Sequence, residues 1–155
     1  MGHYLFNFSK SQVVKGASLP EHAAAAMRVK LWGVDADEPH RDALAPGDLI
    51  LIYLGEPERV FIGRAELGSA VHEWTPSEAQ RYPGDSPGGV MLAHVEEWDP
   101  PVPMDAVLLR IDPEGSNPYV QANAKAGFRT GVVGITAHEY ETVLAVRAER
   151  MPATG

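Results

Sequence analysis

Hydrophobic and polar positions divide the chain into short extended runs separated by turns, with a helical pattern near each end. Tyr4-Leu5-Phe6-Asn7-Phe8 is aromatic and β-favouring and predicts a first strand, with Ser9-Lys10-Ser11 as the polar turn behind it. Pro20 and Glu21 then open a run of alanines ending in Met27, which predicts a helix over 23–29 with its proline in the first turn. Leu31-Trp32-Gly33-Val34 returns to an extended pattern.

Ala45-Pro46-Gly47-Asp48 is a strong turn signal leading into Leu49-Ile50-Leu51-Ile52-Tyr53-Leu54, an unbroken apolar run of strand length that predicts burial on both faces. Gly55-Glu56-Pro57-Glu58 reads as a hairpin loop returning through residues 60–67. Residues 71–89 carry Pro76, Pro83, Gly84, Pro87, Gly88 and Gly89, and predict a long loop, a type of segment that often has a function. A strand is expected over 90–98, stopped by Asp99-Pro100-Pro101-Val102-Pro103, then a short helix or strand over 104–109. Residues 112–131 read as irregular around Asn117-Pro118-Tyr119. Thr136 and Glu139 have capping-box spacing, and Tyr140, Val143 and Leu144 form a helical apolar stripe behind them. The expectation is one α+β domain over 1–150, a small curved or closed barrel of five to six strands with two or three peripheral helices, and a frayed tail over 151–155.

Composition narrows the function classes. The 155 residues are 45% hydrophobic, enough for one real core. There is no cysteine, which removes disulfides, thiolate nucleophiles and cysteine-ligated metals, and excludes the zinc deaminase arrangement. The first residues lack a signal-peptide layout and no apolar run is long enough to span a bilayer, so a cytoplasmic protein with no membrane partner is expected. A formal net charge of −8 argues against indiscriminate nucleic-acid binding, while leaving room for one locally basic face.

Catalytic signatures are missing. Gly127-Phe128-Arg129-Thr130-Gly131 lacks the Lys-Ser/Thr ending of a phosphate loop, and His138-Glu139 is followed by Thr142 where a zinc-protease helix needs a second histidine. The six histidines have no metal-ligand spacing, and no nucleophile elbow is present. The chain is expected to be non-enzymatic, with no cofactor and no metal.

The order of features carries more information. A strand and helix lead to Leu31-Trp32-Gly33-Val34-Asp35; the Gly47-Asp48 turn precedes an apolar strand with a tyrosine near its end, and an Ile62-Gly63-Arg64-Ala65-Glu66 strand follows. A loop with Trp74 comes next, then a strand into the proline run, Asn117-Pro118-Tyr119, and Ile135-Thr136 at the final helix. In this order the sequence resembles the EVE domain family, relatives of YTH domains within the PUA-like superfamily, over roughly residues 4–146. The first strand departs from the family pattern in lacking the tryptophan that many members carry there.

The resemblance implies a non-catalytic reader that takes a flipped, modified base into an aromatic pocket, with 5-methylcytosine in DNA as the first expectation. Methylated adenine, modified RNA, or a PUA-like small-molecule or protein-interaction module are the alternatives. Trp32 matches the family's pocket tryptophan and Trp74 a second cage aromatic; Asn7 and Ser9 match polar groups that read the base edge. Asp35 is a candidate acceptor for an exocyclic amine, and Tyr119, Phe128 and Arg129 border the pocket. Trp98 reads as structural. Lys10, Arg81, Lys125 and Arg129 are the candidate phosphate contacts, which would make affinity salt-sensitive. Trp32→Ala is expected to abolish base preference in a folded domain. A chain this short is also compatible with a separate effector, such as a nuclease.

Overall fold

A computed structural model describes residues 2–8, 19–34, 38–55, 58–84, 86–111 and 131–150. Among them the chain runs β1 (His3–Phe8), α1 (Leu19–Val29), β2 (Leu31–Gly33), a 3-10 turn (Arg41–Ala43), β3 (Leu49–Leu54), β4 (Val60–Leu67), β5 (His72–Glu73), α2 (Pro76–Arg81), β6 (Gly88–Pro103), α3 (Met104–Ile111), β7 (Gly131–Gly134) and α4 (Ala137–Arg150). The seven strands form one curled, mixed sheet in the order β2-β6-β4-β3-β1-β7, with β5 also paired to β6. Among the described strands only β1 and β3 pair in parallel, His3 opposite Leu49 through Phe8 opposite Leu54. The expected α+β architecture is therefore present.

The apolar run of β3 is buried as its composition demands: alternate residues serve opposite faces. Ile50, Ile52 and Leu54 join Phe6, Trp32, Met27 and Val90 under α1, whereas Leu51 and Tyr53 join Leu5, Trp98, Val107 and Tyr140 under α3 and α4. The Gly47-Asp48 turn turns out to be a fastening. Gly47 has φ +91°, a conformation that glycine adopts without penalty. Buried Asp48 accepts from the Gly2 N–H through Oδ1 (2.8 Å) and from the Ala45 N–H through Oδ2 (3.0 Å), tying the chain start to the entry of β3.

Gly63 has an equally local cause. A Cβ there would collide with the Glu96 carbonyl and the Met27 methyl, so glycine lets α1 lie close on the sheet. At the far end, Thr136 and Glu139 form the expected capping box, Glu139 N–H to Thr136 Oγ1 at 3.0 Å and Thr136 N–H to Glu139 Oε1 at 2.9 Å.

Two expectations need correction. Residues 71–89 are not one loop: they hold the two-residue β5 and the six-residue α2. The proline run does not stop β6, which continues to Pro103. Its partners explain why: Gly63 pairs with Glu97 and Phe61 with Val102, so residues 98–101 bulge out of the ladder, where a missing N–H costs no hydrogen bond. Residues 104–111 settle as a helix, α3, with Met104 and Val107 buried.

Candidate aromatic base site

Trp32 is set by β2, a three-residue strand whose partner is β6 and whose flanks are held by Val34 N–H to Gly88 O (3.1 Å) and Leu92 N–H to Lys30 O (2.9 Å). Its indole is 2% exposed and lies 5.8 Å from the Phe6 ring. The next residue, Gly33, donates its N–H to the Tyr82 hydroxyl at 3.0 Å. Tyr82 in turn lies 5.2 Å from Trp74 and 6.4 Å from the buried His22 of α1 (ring centroids), and His72 packs edge-on to Trp74 at 5.7 Å. Two ring groups, Phe6–Trp32 and His22–Tyr82–Trp74–His72, are thus joined by the Gly33–Tyr82 hydrogen bond into one cluster.

The segment that carries Trp74 is fixed by a polar clamp. Thr75 caps α2: the Glu78 N–H donates to Thr75 Oγ1 (3.2 Å) and the Thr75 N–H to Glu78 Oε1 (2.9 Å). The buried Glu78 carboxylate also meets His72 Nε2 at 3.0 and 3.1 Å, while His72 Nδ1 faces the Ala70 carbonyl at 3.0 Å. Acceptors on both nitrogens favour the doubly protonated ring. The Ala70 carbonyl first, then Glu78, raise the His72 pKa against the opposing effect of burial. The Thr75 N–H, then His72, lower that of Glu78, again against burial.

Not every expected residue joins this cluster. Trp32 and Trp74 belong to it, linked through Tyr82. Asn7 is 2% exposed, but strand alternation puts it on the Leu5 face of β1, opposite to Phe6 and Trp32. Arg81 is exposed in the last turn of α2 and makes no ion pair among the described residues. Ser9, Asp35, Tyr119, Phe128, Lys10, Lys125 and Arg129 lie outside the described residues. The 2% exposure of Trp32 corrects one expectation: Trp32→Ala is a core truncation, costing about 3–5 kcal/mol, rather than a trim at an open wall.

Sequence reading missed Tyr82, His72, Glu78 and His22. The Thr75-Pro76-Ser77-Glu78 capping box was the available signal for α2, while nothing local predicts that Tyr82 reaches Gly33.

Across the sheet, Trp98 has the structural role expected of it. It is 4% exposed, donates Nε1–H to Glu96 at 2.7 Å and lies under the Arg147 guanidinium, 5.0 Å from the ring centroid. Burial works to raise the Glu96 pKa, but the Trp98 N–H, Arg64 and Arg147 outweigh it and hold the carboxyl below its usual value. A cleft of about 510 Å³ opens beside this network, between Arg64, Glu66 and His94 on the strands and Tyr140 on α4.

No family model matches the sequence, and no curated protein does either. Solved structures do match in three dimensions. Human THYN1 in complex with 5-methylcytosine-containing DNA superimposes with a TM-score of 0.62, covering 98% of this chain and 100% of that one at 14% identity. The ASCH protein of Zymomonas mobilis gives 0.51 over 93% and 94% at 13% identity, and Atu2648 of Agrobacterium tumefaciens gives 0.57 over 94% and 93% at 18% identity. The fold is PUA-like. At these identities the likeness establishes the PUA-like architecture and leaves chemistry to the side chains described above. Among the described residues, no group of three or more metal-ligating side chains is gathered, and no helix is long and apolar enough to cross a membrane.

Proposed function

We propose that this PUA-like domain is a non-catalytic EVE-type reader that draws a modified base, 5-methylcytosine in DNA first, to the aromatic cluster around Trp32, Tyr82 and Trp74. The observation that carries the reading is the full-length likeness to THYN1, which was solved with 5-methylcytosine DNA, together with an aromatic cluster in this chain.

The energetics suit the task. Extruding a base costs a few kcal/mol, and stacking on an aromatic ring returns about 1–3 kcal/mol per base. On this reading Trp32 backs the cluster from within the core, where its ring packs on Phe6. Tyr82 holds the backbone immediately after it. Asp35, just beyond Val34, and Ser9, just beyond β1, supply edge contacts. Arg81, free of ion pairs among the described residues, supplies a phosphate contact next to the cluster, with Lys10, Lys125 and Arg129 as further candidates. The partner is nucleic acid, and a nuclease effector would act in trans.

The net charge of −8 favours a second reading, a PUA-like module for a small molecule or protein. A gel-shift panel of methylated and plain DNA and RNA duplexes at two salt concentrations separates the two. The reader binds methylated DNA best and loses affinity with salt; failure on every probe at both salts supports the interaction module and removes the reader.

A further inference from the structure

We propose that Trp74 serves this site as a hydrogen-bond donor, its indole N–H reading an acceptor atom on the extruded base instead of offering a ring face for stacking. The inference rests on the reader function above and names the group that inspects the base edge.

Most polar groups in the cluster are already engaged. His72 has acceptors at both nitrogens, Ala70 O at 3.0 Å and the Glu78 carboxylate at 3.0 and 3.1 Å. Glu78 also accepts from the Thr75 N–H, and the Tyr82 hydroxyl accepts from Gly33. Trp98, on the other face of the sheet, spends its N–H on Glu96. The Trp74 Nε1–H is shielded from solvent and has no acceptor among the described residues. An indole N–H only donates, and a shielded donor without a partner is rare enough in folded proteins to need a cause.

The ring faces point the same way. Tyr82 sits 5.2 Å from Trp74 at a 43° tilt and His72 stands edge-on at 5.7 Å, so neighbours from this chain already pack on the indole. The N–H is the polar group this ring still has to offer. A ligand that satisfies it must carry an acceptor; cytosine offers one at N3 and another at O2, whereas its N4 amine can only donate.

This role separates two quantities that a stacking role would move together. A donor to N3 or O2 contacts atoms common to cytosine and 5-methylcytosine, so losing it weakens both and leaves their ratio unchanged. Trp74→Phe keeps a ring against Tyr82 and removes the N–H. Its affinity for a duplex with one central 5-methylcytosine, and for the unmodified duplex, is expected to fall roughly three- to tenfold in each case, with the methyl preference preserved. The second measurement needs no variant in the complex. In the 15N-labelled wild-type protein, the indole cross-peak missing from Trp74→Phe is assigned to Trp74, and its proton is expected to move downfield on titration with the methylated duplex while the Trp98 peak stays in place. A Trp74 peak that does not move at saturation, with wild-type preference intact, overturns the inference and spares the reader. So does an equal shift with a duplex carrying an abasic site at the same position, which would assign the acceptor to the backbone. Wild-type protein that binds no duplex overturns the reader function and the inference with it.

Discussion

Replacing Gly89 with alanine tests the geometry that holds Trp32. A Cβ built on Gly89 runs into the Trp32 carbonyl oxygen and comes to 2.8 Å from both the Gly33 Cα and the Trp32 carbonyl carbon. All three are backbone atoms of β2, so no side chain can swing aside. The strand has to move, and it is only three residues long, paired with β6 over Leu31–Met91, Trp32–Val90 and Gly33–Gly89. Overpacking of this kind costs about 1–3 kcal/mol, and loosening one ladder hydrogen bond adds about 1 kcal/mol. For a domain of this size each kcal/mol lowers the melting temperature by about 2–4 °C, so a loss of about 2–4 kcal/mol should make Gly89→Ala melt roughly 4–16 °C below wild type. Gly68→Ala is the control, because its nearest contact is at 3.4 Å. Thermal unfolding followed by circular dichroism reads both. Equal melting temperatures for the two variants would refute the close β2–β6 approach, and with it the account of how Trp32 is positioned.

Further predictions follow from single contacts. His72 has a raised pKa, so its stabilisation is complete below the usual imidazole value of about 6.5 and is lost as pH rises through the folded value; Glu78 has a lowered pKa, so its stabilisation is present above about 4.5 and is lost as pH falls through the folded value. Urea midpoints should therefore show wild type ahead of His72→Gln by roughly 1 kcal/mol between those limits, with the gap closing at alkaline pH; a gap independent of pH would contradict the charged pair. Asp48→Ala removes the acceptor for the Gly2 and Ala45 N–H groups and should cost about 2–4 kcal/mol in denaturant unfolding, whereas Asp48→Asn should recover part of it; equal stability of all three would show the fastening to be idle. Arg81→Ala should reduce duplex affinity and flatten its salt dependence by about one charge without altering methyl preference, measured by salt titration.

Much of the fold was legible because its causes are local. The α4 start is written as Thr136 and Glu139, the β3 strand as an apolar run, and the preceding turn as Gly47-Asp48. The failures have two physical sources: a distant partner that overrides a local signal, and a local capping signal hidden in a stretch rich in proline and glycine. Prolines read as a stop at residues 99–103, yet the bulge opposite Phe61 and Gly63 lets β6 pass through them. A stretch rich in proline and glycine read as loop, although Thr75 and Glu78 were enough to start α2. The site was legible as aromatic residues and illegible as a cluster. Trp32 and Trp74 were visible by type, but Tyr82, which joins them through Gly33, acts across 49 positions of sequence. The burial of Trp32 against Phe6 is likewise a tertiary outcome, and it converts an expected open wall into a core side chain.

The most direct test is the ratio of dissociation constants for two DNA duplexes that differ only in one central 5-methyl group, measured by fluorescence anisotropy at near-physiological salt. A methyl settled in a shaped apolar slot is worth about 0.8–3 kcal/mol, so the account predicts a preference of roughly 4- to 160-fold for the methylated duplex. A ratio of one, with both duplexes bound, would contradict it.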